Sequence, residues 1–307
     1  MSYDLLMIPA QFDAAAIRDW LGYRPHVDLR ETEDSDGVTT TQAVYSNEDT
    51  GVYFAFSISE RGIPEDGIES TPAVVFNLNY VRPHIFALEA EPEVAAFLQA
   101  FGCRIDDPQI DGMGEGAYSR EGFLRGWTKG NHIGFQSIGE DTRPPPPWSA
   151  DPALIEAVWK WNYGRAVLNK ERGADIFVPR ISWFMPEGAA MPIPAASWTE
   201  RVLTMLPAGI ISHVALVRRP RKSLKGFFGL DSEQPKFELR IVDLQQVANL
   251  PGIRRAEVDG VAVLVTPPAG PLETQKIFQG DWPKGGGQIL AADQVCGADL
   301  VALMKKA

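Results

Sequence analysis

Side chains able to do covalent or metal chemistry are few in this chain. The four histidines, His26, His84, His132 and His213, are scattered, and none has HExxH or HxH spacing. A metal ion needs several donors brought to one point, so no metal site is expected. The two cysteines, Cys103 and Cys296, are far apart and belong to no CxxC pair. They make neither a disulfide framework nor a zinc or redox motif. Arg104 beside Cys103 would favour a thiolate, yet a cysteine at a helix–strand junction reads as core. No serine stands in a GxSxG nucleophile elbow. Gly112-Met113-Gly114-Glu115-Gly116 lacks the GxGxxG spacing of a dinucleotide loop and reads as a flexible turn. Lys284-Gly285-Gly286-Gly287-Gln288 places its lysine before the glycines, so it is no phosphate loop. Asp106-Asp107 reads as a polar turn rather than an acid–base pair. No catalytic residue and no cofactor is expected.

Charge is the stronger signal. The formal net charge is −11, from 40 acidic and 29 basic side chains. Residues 1–150 hold 24 of the acids and 10 of the bases, a net of −14, which leaves +3 for the rest. An acidic half repels nucleic acid and anionic membranes and attracts basic partners at long range. Glu31, Glu33, Asp34, Asp36, Glu48, Asp49, Glu60, Glu65, Asp66 and Glu69 fall mostly in segments that read as loops. Loops on a rigid sheet are where recognition concentrates. Glu31, Glu33, Asp34, Asp36, Glu48, Asp49, Glu65 and Asp66 are the candidate partner-binding residues. A basic run, Arg218, Arg219, Arg221, Lys222 and Lys225, precedes Phe227-Phe228. Basic charge interleaved with aromatics suits a phosphate backbone or a lipid surface, but the run reads rather as an exposed hairpin loop, or as a surface docked on the acidic half.

These residues need elements to hold them. Tyr3 to Ile8 reads as a strand. Asp13 reads as the cap of a helix bearing Ile17, Trp20 and Leu21 and closed by Gly22. The acidic stretch 28–50 reads as turn-rich. Val52, Phe54 and Phe56 alternate with Tyr53, Ala55 and Ser57 in a half-buried strand whose hairpin partner holds Val44 and Tyr45. A further strand spans 73–80. Pro92 fits the first position of a helix ending at Gly102. Ser119 starts another helix, in which Gly122, Gly126, Gly130 and Gly134 form one bare ridge. That ridge requires a close neighbour, or else the segment is a loop. Arg143-Pro144-Pro145-Pro146-Pro147-Trp148 reads as a polyproline spacer. Beyond it come an Asp151-capped helix to about Asn169, a strand over 176–185 and a capping box, Ser197-Trp198-Thr199-Glu200, starting a helix to Leu206. A hairpin over 211–217 and 237–242, a tight turn at Asp259-Gly260 and a final helix capped near Asp293 complete the chain.

The predicted fold class is α+β, in two domains, each a mainly antiparallel sheet with helices packed on one face. The expected boundaries are 1–143 for an acidic domain, 144–150 for a proline-rich linker and 151–307 for a second domain. The start lacks a basic n-region, and no apolar run reaches the length of a membrane span. With two unpaired cysteines, the expected location is cytoplasmic.

The opening Met1-Ser2-Tyr3-Asp4-Leu5, the strand pair around Val52–Ser57 and the stretch Phe76-Asn77-Leu78-Asn79-Tyr80-Val81-Arg82-Pro83 resemble bacterial immunity-type proteins. These are the cytoplasmic antidotes encoded beside polymorphic or type VI secreted toxins. The resemblance covers about the first 140 residues and rests on pattern rather than on an invariant motif. It implies a non-catalytic binder that occludes a toxin, with no active-site residues. The expected partner is a protein, a basic toxin, with no nucleic acid and no membrane. Two other classes stand beside it. One is an enzyme with an interdomain cleft using His84, Cys103 and His132. The other is a structural component of a secretion or phage-like assembly.

Overall fold

The computed structural model describes residues 1–33, 39–59, 72–109, 111–138, 147–199, 202–218, 238–267, 276–279 and 287–304. The chain is α+β. It divides into two compact units, Met1–Pro152 together with Ala292–Ala307, and Ala153–Ala291.

The first unit is built on a seven-stranded sheet in the order β2-β3-β4-β5-β1-β6-β7. Its strands are β1 (Ser2–Ile8), β2 (Val27–Glu33), β3 (Thr39–Ser46), β4 (Tyr53–Ser59), β5 (Ala73–Asn79), β6 (Arg104–Asp107) and β7 (Gly114–Gly116). Every pair in it is antiparallel. Period-two alternation sends Tyr3, Leu5, Met7, Phe54, Phe56, Ile58, Phe76 and Leu78 to one buried face. Helices α1 (Ala14–Gly22), α2 (Ile85–Phe101) and α3 (Arg120–Ser137) supply the rings that meet it. Phe97 of α2 stacks on Phe56 at 5.7 Å, Phe123 of α3 meets Tyr3 edge-on at 5.3 Å, and Trp20 of α1 meets Phe97. Aromatic pairs of this kind add about 0.5–1.5 kcal/mol each beyond their buried area.

Helix ends follow the sequence in part. Asp13 accepts hydrogen bonds from the Ala15 and Ala16 amides at 3.0 and 3.1 Å, as its cap position predicts. Gly22 is the last helical residue rather than the one beyond it, and Tyr23 is the cap. Gly102 closes α2 in the left-handed region, with φ 58°. The start of α2 corrects the sequence reading. Pro92 lies inside the helix, which begins seven residues earlier at Ile85. An interior proline costs about 3 kcal/mol. Burial of Ile85, Phe86, Ala87 and Ala90 ahead of it offsets that cost.

The glycine ridge of α3 is real. A Cβ at Gly126 would stand 3.3 Å from both the Gly112 Cα and the Tyr3 ring. One at Gly130 would enter the Tyr80 ring, and one at Gly134 would press on Val81 and Tyr80. So the ridge seats Tyr3, Tyr80, Val81 and the Gly112 backbone. The segment 112–116 is correspondingly no flexible turn. Gly112 is wedged on Asp107, and Gly114–Gly116 is the edge strand β7. Asp106-Asp107 likewise belongs to a strand, where pairing of Asp106 to β1 and of both residues to β7 outweighs their polar, turn-like composition.

Two short pieces complete this unit. Trp148–Ala150 forms β8, which pairs in parallel with β17 (Val295–Gly297), and helix α6 (Ala298–Met304) follows. The segment read as a linker therefore ends in a strand, because ladder bonds to 295–297 satisfy its backbone. The last residues of the expected second domain pack with the first unit. Phe135 of α3 shares a buried cluster with Cys296, Leu300 and Met304. Residues 143–146 lie outside the described residues.

The second unit holds α4 (Pro152–Arg172, from Ala153 onward), β9 (Ile181–Pro186), β10 (Ile193–Thr199), β11 (Thr204–Leu206), β12 (His213–Arg218), β13 (Glu238–Asp243), α5 (Leu244–Ala248), β14 (Arg254–Val258), β15 (Val261–Thr266) and β16 (Gly287–Leu290). Five strands run β13-β12-β10-β9-β16, with only β10 and β12 parallel, and three form an antiparallel sheet β11-β15-β14. The 211–242 hairpin and the Asp259-Gly260 turn agree with expectation. Asp259 and Gly260 both have positive φ, 49° and 77°, the signature of a type I′ turn. The strand expected over 176–185 is shorter and begins at Ile181. The helix expected from Ser197 is absent, because 197–199 lie in β10, paired in parallel with Ala215–Val217 of β12, with Trp198 buried against Phe278. A ladder and a buried indole outweigh a local capping signal. Glu200 and Arg201 lie outside the described residues.

Candidate functional site

The site is built at one end of the first unit's sheet. Chain direction settles which acids share it. Val27 begins β2 opposite Tyr45, and Glu33 ends it opposite Thr39. The β3–β4 turn, with Glu48 and Asp49, therefore sits at the Val27 end. Glu33 sits at the other, about 20 Å away for seven residues at the strand rise. The structure does not bring Glu48 and Asp49 together with Glu33. Glu31 and Glu33 are on a strand, not a loop, because β2 finds a full ladder on β3. Glu31 is exposed and lies 3.9 Å from Arg18 of α1. Of Glu33 only the backbone is described. Asp34, Asp36, Glu60, Glu65, Asp66 and Glu69 lie outside the described residues.

The Glu48–Asp49 turn is held from beneath by a carboxyl group that the sequence reading passed over. Glu89 of α2 is 1% exposed. Its Oε1 accepts hydrogen bonds from the Tyr45 hydroxyl at 2.8 Å, the Asn47 side-chain amide at 2.8 Å and the Thr50 hydroxyl at 2.9 Å. Asn47 Oδ1 in turn accepts from the Asp49 amide at 3.0 Å, and Gly51 leaves the turn at φ 76°. Three donors converging on one buried oxygen fix the turn to the helix. Exposed Glu48 and half-buried Asp49 thus stand on a rigid mount.

Beside that turn lies a second polar group. The Tyr53 hydroxyl donates to Asp293 Oδ2 at 3.0 Å and accepts from Arg82 Nε at 2.9 Å. The Arg82 guanidinium also lies over the Tyr53 ring, 5.5 Å from its centroid. Asp293 is thus not the cap of the last helix. It lies in a single 3-10 turn, Ala292–Gln294, and faces Tyr53 and Arg82. Val81, next to Arg82, has φ 60°, a strained conformation for a β-branched residue. Asn131 of α3, 1% exposed, holds it there. Its Oδ1 accepts from the Val81 and Arg82 amides, and its Nδ2 donates to the Arg82 carbonyl.

The remaining interior acids are saturated. Asp107, 2% exposed, accepts from the Tyr3 hydroxyl at 2.7 Å and from the Gln109 and Met113 amides. Burial, with Asp107 beside it, pushes the Tyr3 phenol far above its ordinary value. Glu91 accepts from the Tyr118 hydroxyl and from Arg120. Burial, with Glu91 beside it, raises the Tyr118 phenol in the same way.

The expected nucleophile candidates do not assemble. His84 stands at the start of α2 and Cys103 just past its other end. Seventeen residues at the helical rise separate them by about 25 Å, so they form no thiol–imidazole pair. Burial pushes the Cys103 thiol up to about 11 and the Cys296 thiol up to about 12. Burial sets the direction at Cys103, and Arg104 does not reverse it. Iodoacetamide at pH 8 will therefore modify the folded protein far more slowly than the urea-unfolded chain at both positions, read by intact mass. Equal rates would refute the burial of the thiols. Both groups ionise near 9.0 when free of the fold. The stability they contribute is whole below that pH and is lost as the pH rises toward 11 and 12.

The second unit contains a cleft of about 870 Å³ between α4 and the β14–β15 turn, lined mainly by Trp161, Val167, Leu168, Ile210 and Val261. Neither His84, Cys103 nor His132 lines it. Arg219, Arg221, Lys222, Lys225, Phe227, Phe228 and Lys284–Gly286 lie outside the described residues. Among the described residues there is no group of three or more His, Cys, Asp or Glu able to hold a metal, and no helix is long and apolar enough to cross a membrane.

Fold and site together define an α+β protein with a rigid acidic turn at one end of an antiparallel sheet. Compared with family models, curated proteins and solved structures, the chain matches none.

Proposed function

We propose that this is a non-catalytic cytoplasmic binding protein that captures a basic protein partner, in the manner of an immunity protein occluding a toxin. The observation that carries the reading is the Glu48–Asp49 turn, mounted on Glu89 by three hydrogen bonds. A pre-organised acidic turn loses little conformational freedom on binding, so its charge converts efficiently into affinity. The interior carboxyl groups of Glu89, Glu91 and Asp107 are engaged in structural bonds. Among the described candidate acids, Glu48 is exposed and Asp49 half-buried on that turn, and they are the pair this reading assigns to the partner. The net −14 of residues 1–150 steers a basic partner toward this unit from a distance.

The test compares wild-type protein with a Glu48→Lys/Asp49→Lys variant. Each is immobilised and exposed to lysate of the source organism, with bound polypeptides identified and association rates measured at low and high salt. A basic polypeptide should bind the wild type and associate about tenfold more slowly with the variant, the gap closing as salt rises. Equal association rates, or no basic polypeptide retained, would overturn the proposal.

A further inference from the structure

The seven-stranded sheet has a free edge at β2 among the described residues. The hydrogen-bond phase of the ladder shows which groups face outward. The Ser46 amide donates to the His26 carbonyl at 2.8 Å, and on the other side of β3 the Asn47 amide donates to the Val52 carbonyl at 3.0 Å. In an antiparallel ladder bonded and non-bonded pairs alternate. Asp28 and Arg30 therefore bond to β3, and the amides and carbonyls of Leu29 and Glu31 point away from the sheet. The side chains there reach solvent as well: Leu29 is 39% exposed, and Asp28 and Arg30, which pair with each other along the strand at 3.4 Å, are exposed at 74% and 60% of their side-chain surface.

An edge with unpaired backbone invites another strand, and charges usually block it. Here the charges block all but one arrangement with a second copy. Outward-facing residues must pair with outward-facing residues, which leaves antiparallel registers two residues apart. Centring on Asp28 sets it against its own copy, centring on Arg30 does the same to Arg30, and centring on Glu31 to Glu31. Centring on Leu29 sets Asp28 against Arg30 twice, brings the two exposed leucines together and puts Glu31 against Val27. The Asp28–Arg30 pairs then fall at the non-bonded positions, where side chains across a ladder approach most closely. We propose that β2 is the interface of a symmetric dimer, pairing antiparallel with β2 of a second copy about Leu29. Two other edges carry charges: β14 permits a charge match about Ala256 with no large apolar side chain at the axis, and β13 permits one about Leu239, 41% exposed, so the charge reversals that decide between edges are placed on β2 alone.

Sedimentation equilibrium on the full chain tests this through charge exchange. The wild type should be dimeric at about 100 µM, well above the dissociation constant of a stable interface. Asp28→Arg and Arg30→Asp each turn two attractive pairs into repulsive ones, and each should raise the dissociation constant about tenfold or more. The double variant D28R/R30D restores opposite charges and should regain the dimer. An equimolar mixture of the two single variants should form a heterodimer. Both positions are exposed, and circular dichroism will confirm that the variants fold. A wild type that is monomeric at this concentration, a dimer indifferent to the single reversals, or growth beyond the dimer by head-to-tail pairing of unlike edges would each overturn the proposal.

Discussion

Replacing Glu89 with alanine will destabilise the first unit by about 3–5 kcal/mol. The hydroxyls of Tyr45 and Thr50 lose this acceptor at once, and the Asn47 amide loses the shorter of its two bonds, keeping the one to the Tyr45 hydroxyl at 3.4 Å. All three residues are buried, so water cannot take over without opening the turn. Each orphaned donor carries a desolvation cost of about 1–3 kcal/mol, and the turn will relax to recover part of it. Glu89→Gln keeps an accepting oxygen in place and should lose less than half as much. Urea denaturation followed by near-ultraviolet circular dichroism will read both. A loss under about 1 kcal/mol for the alanine variant would mean that the three donors have other acceptors, and the rigid mount under Glu48 and Asp49 would be refuted.

Two glycine-to-alanine changes should move stability in opposite directions, although both lie inside helices. Alanine has the higher helix propensity, worth about 0.5–1 kcal/mol at an open position. Gly164 of α4 has nothing within 4 Å of an added Cβ, so Gly164→Ala should stabilise by that amount. Gly130 of α3 has the Tyr80 ring where its Cβ would stand. Tyr80 is 8% exposed, and its hydroxyl is held by Gln109 at 3.0 Å, so the ring has little room to move. Overpacking there should cost about 2–3 kcal/mol. Denaturant midpoints of the two variants will separate on either side of the wild type. A stabilised Gly130→Ala would show that the α3 ridge is not a packing surface.

The chain's local signals carry its local structure well. Alternation at Val52, Phe54 and Phe56 marks β4, Asp259-Gly260 marks a tight turn, and the spacing of four glycines marks the packing face of α3. Local signals fail where distant contacts decide. Pro92 resembles a helix start, but the burial of residues 85–90 against the sheet carries the helix through it. Ser197 to Glu200 resembles a cap, but pairing to β12 makes its first three residues a strand. The mount of the site is of this second kind. Tyr45, Asn47 and Thr50 reach an acceptor about forty residues away, and nothing near them in sequence announces it. The one available hint is Glu89 itself, an acid within the otherwise apolar run Ile85–Ala90. Composition alone makes the candidate acids look loop-borne. Strand direction separates Glu33 from Glu48, and direction depends on pairing that composition does not encode.

The parallel pairing of β8 with β17 has a bearing on synthesis. The chain leaves the first unit after Pro152 and re-enters it at Ala292, so the second unit is an insertion in the first. A ribosome works in one direction. Phe135, Ile138 and Val81 emerge early, yet their cover from Cys296, Leu300 and Met304 is made only after the whole insertion. Until then a greasy patch on the nascent first unit stands open, and closing it must span the entire second unit. Loop-closure entropy grows slowly with length, so the delay is paid more in exposure time than in stability. The nascent protein therefore passes through a stage in which a chaperone has something to shield.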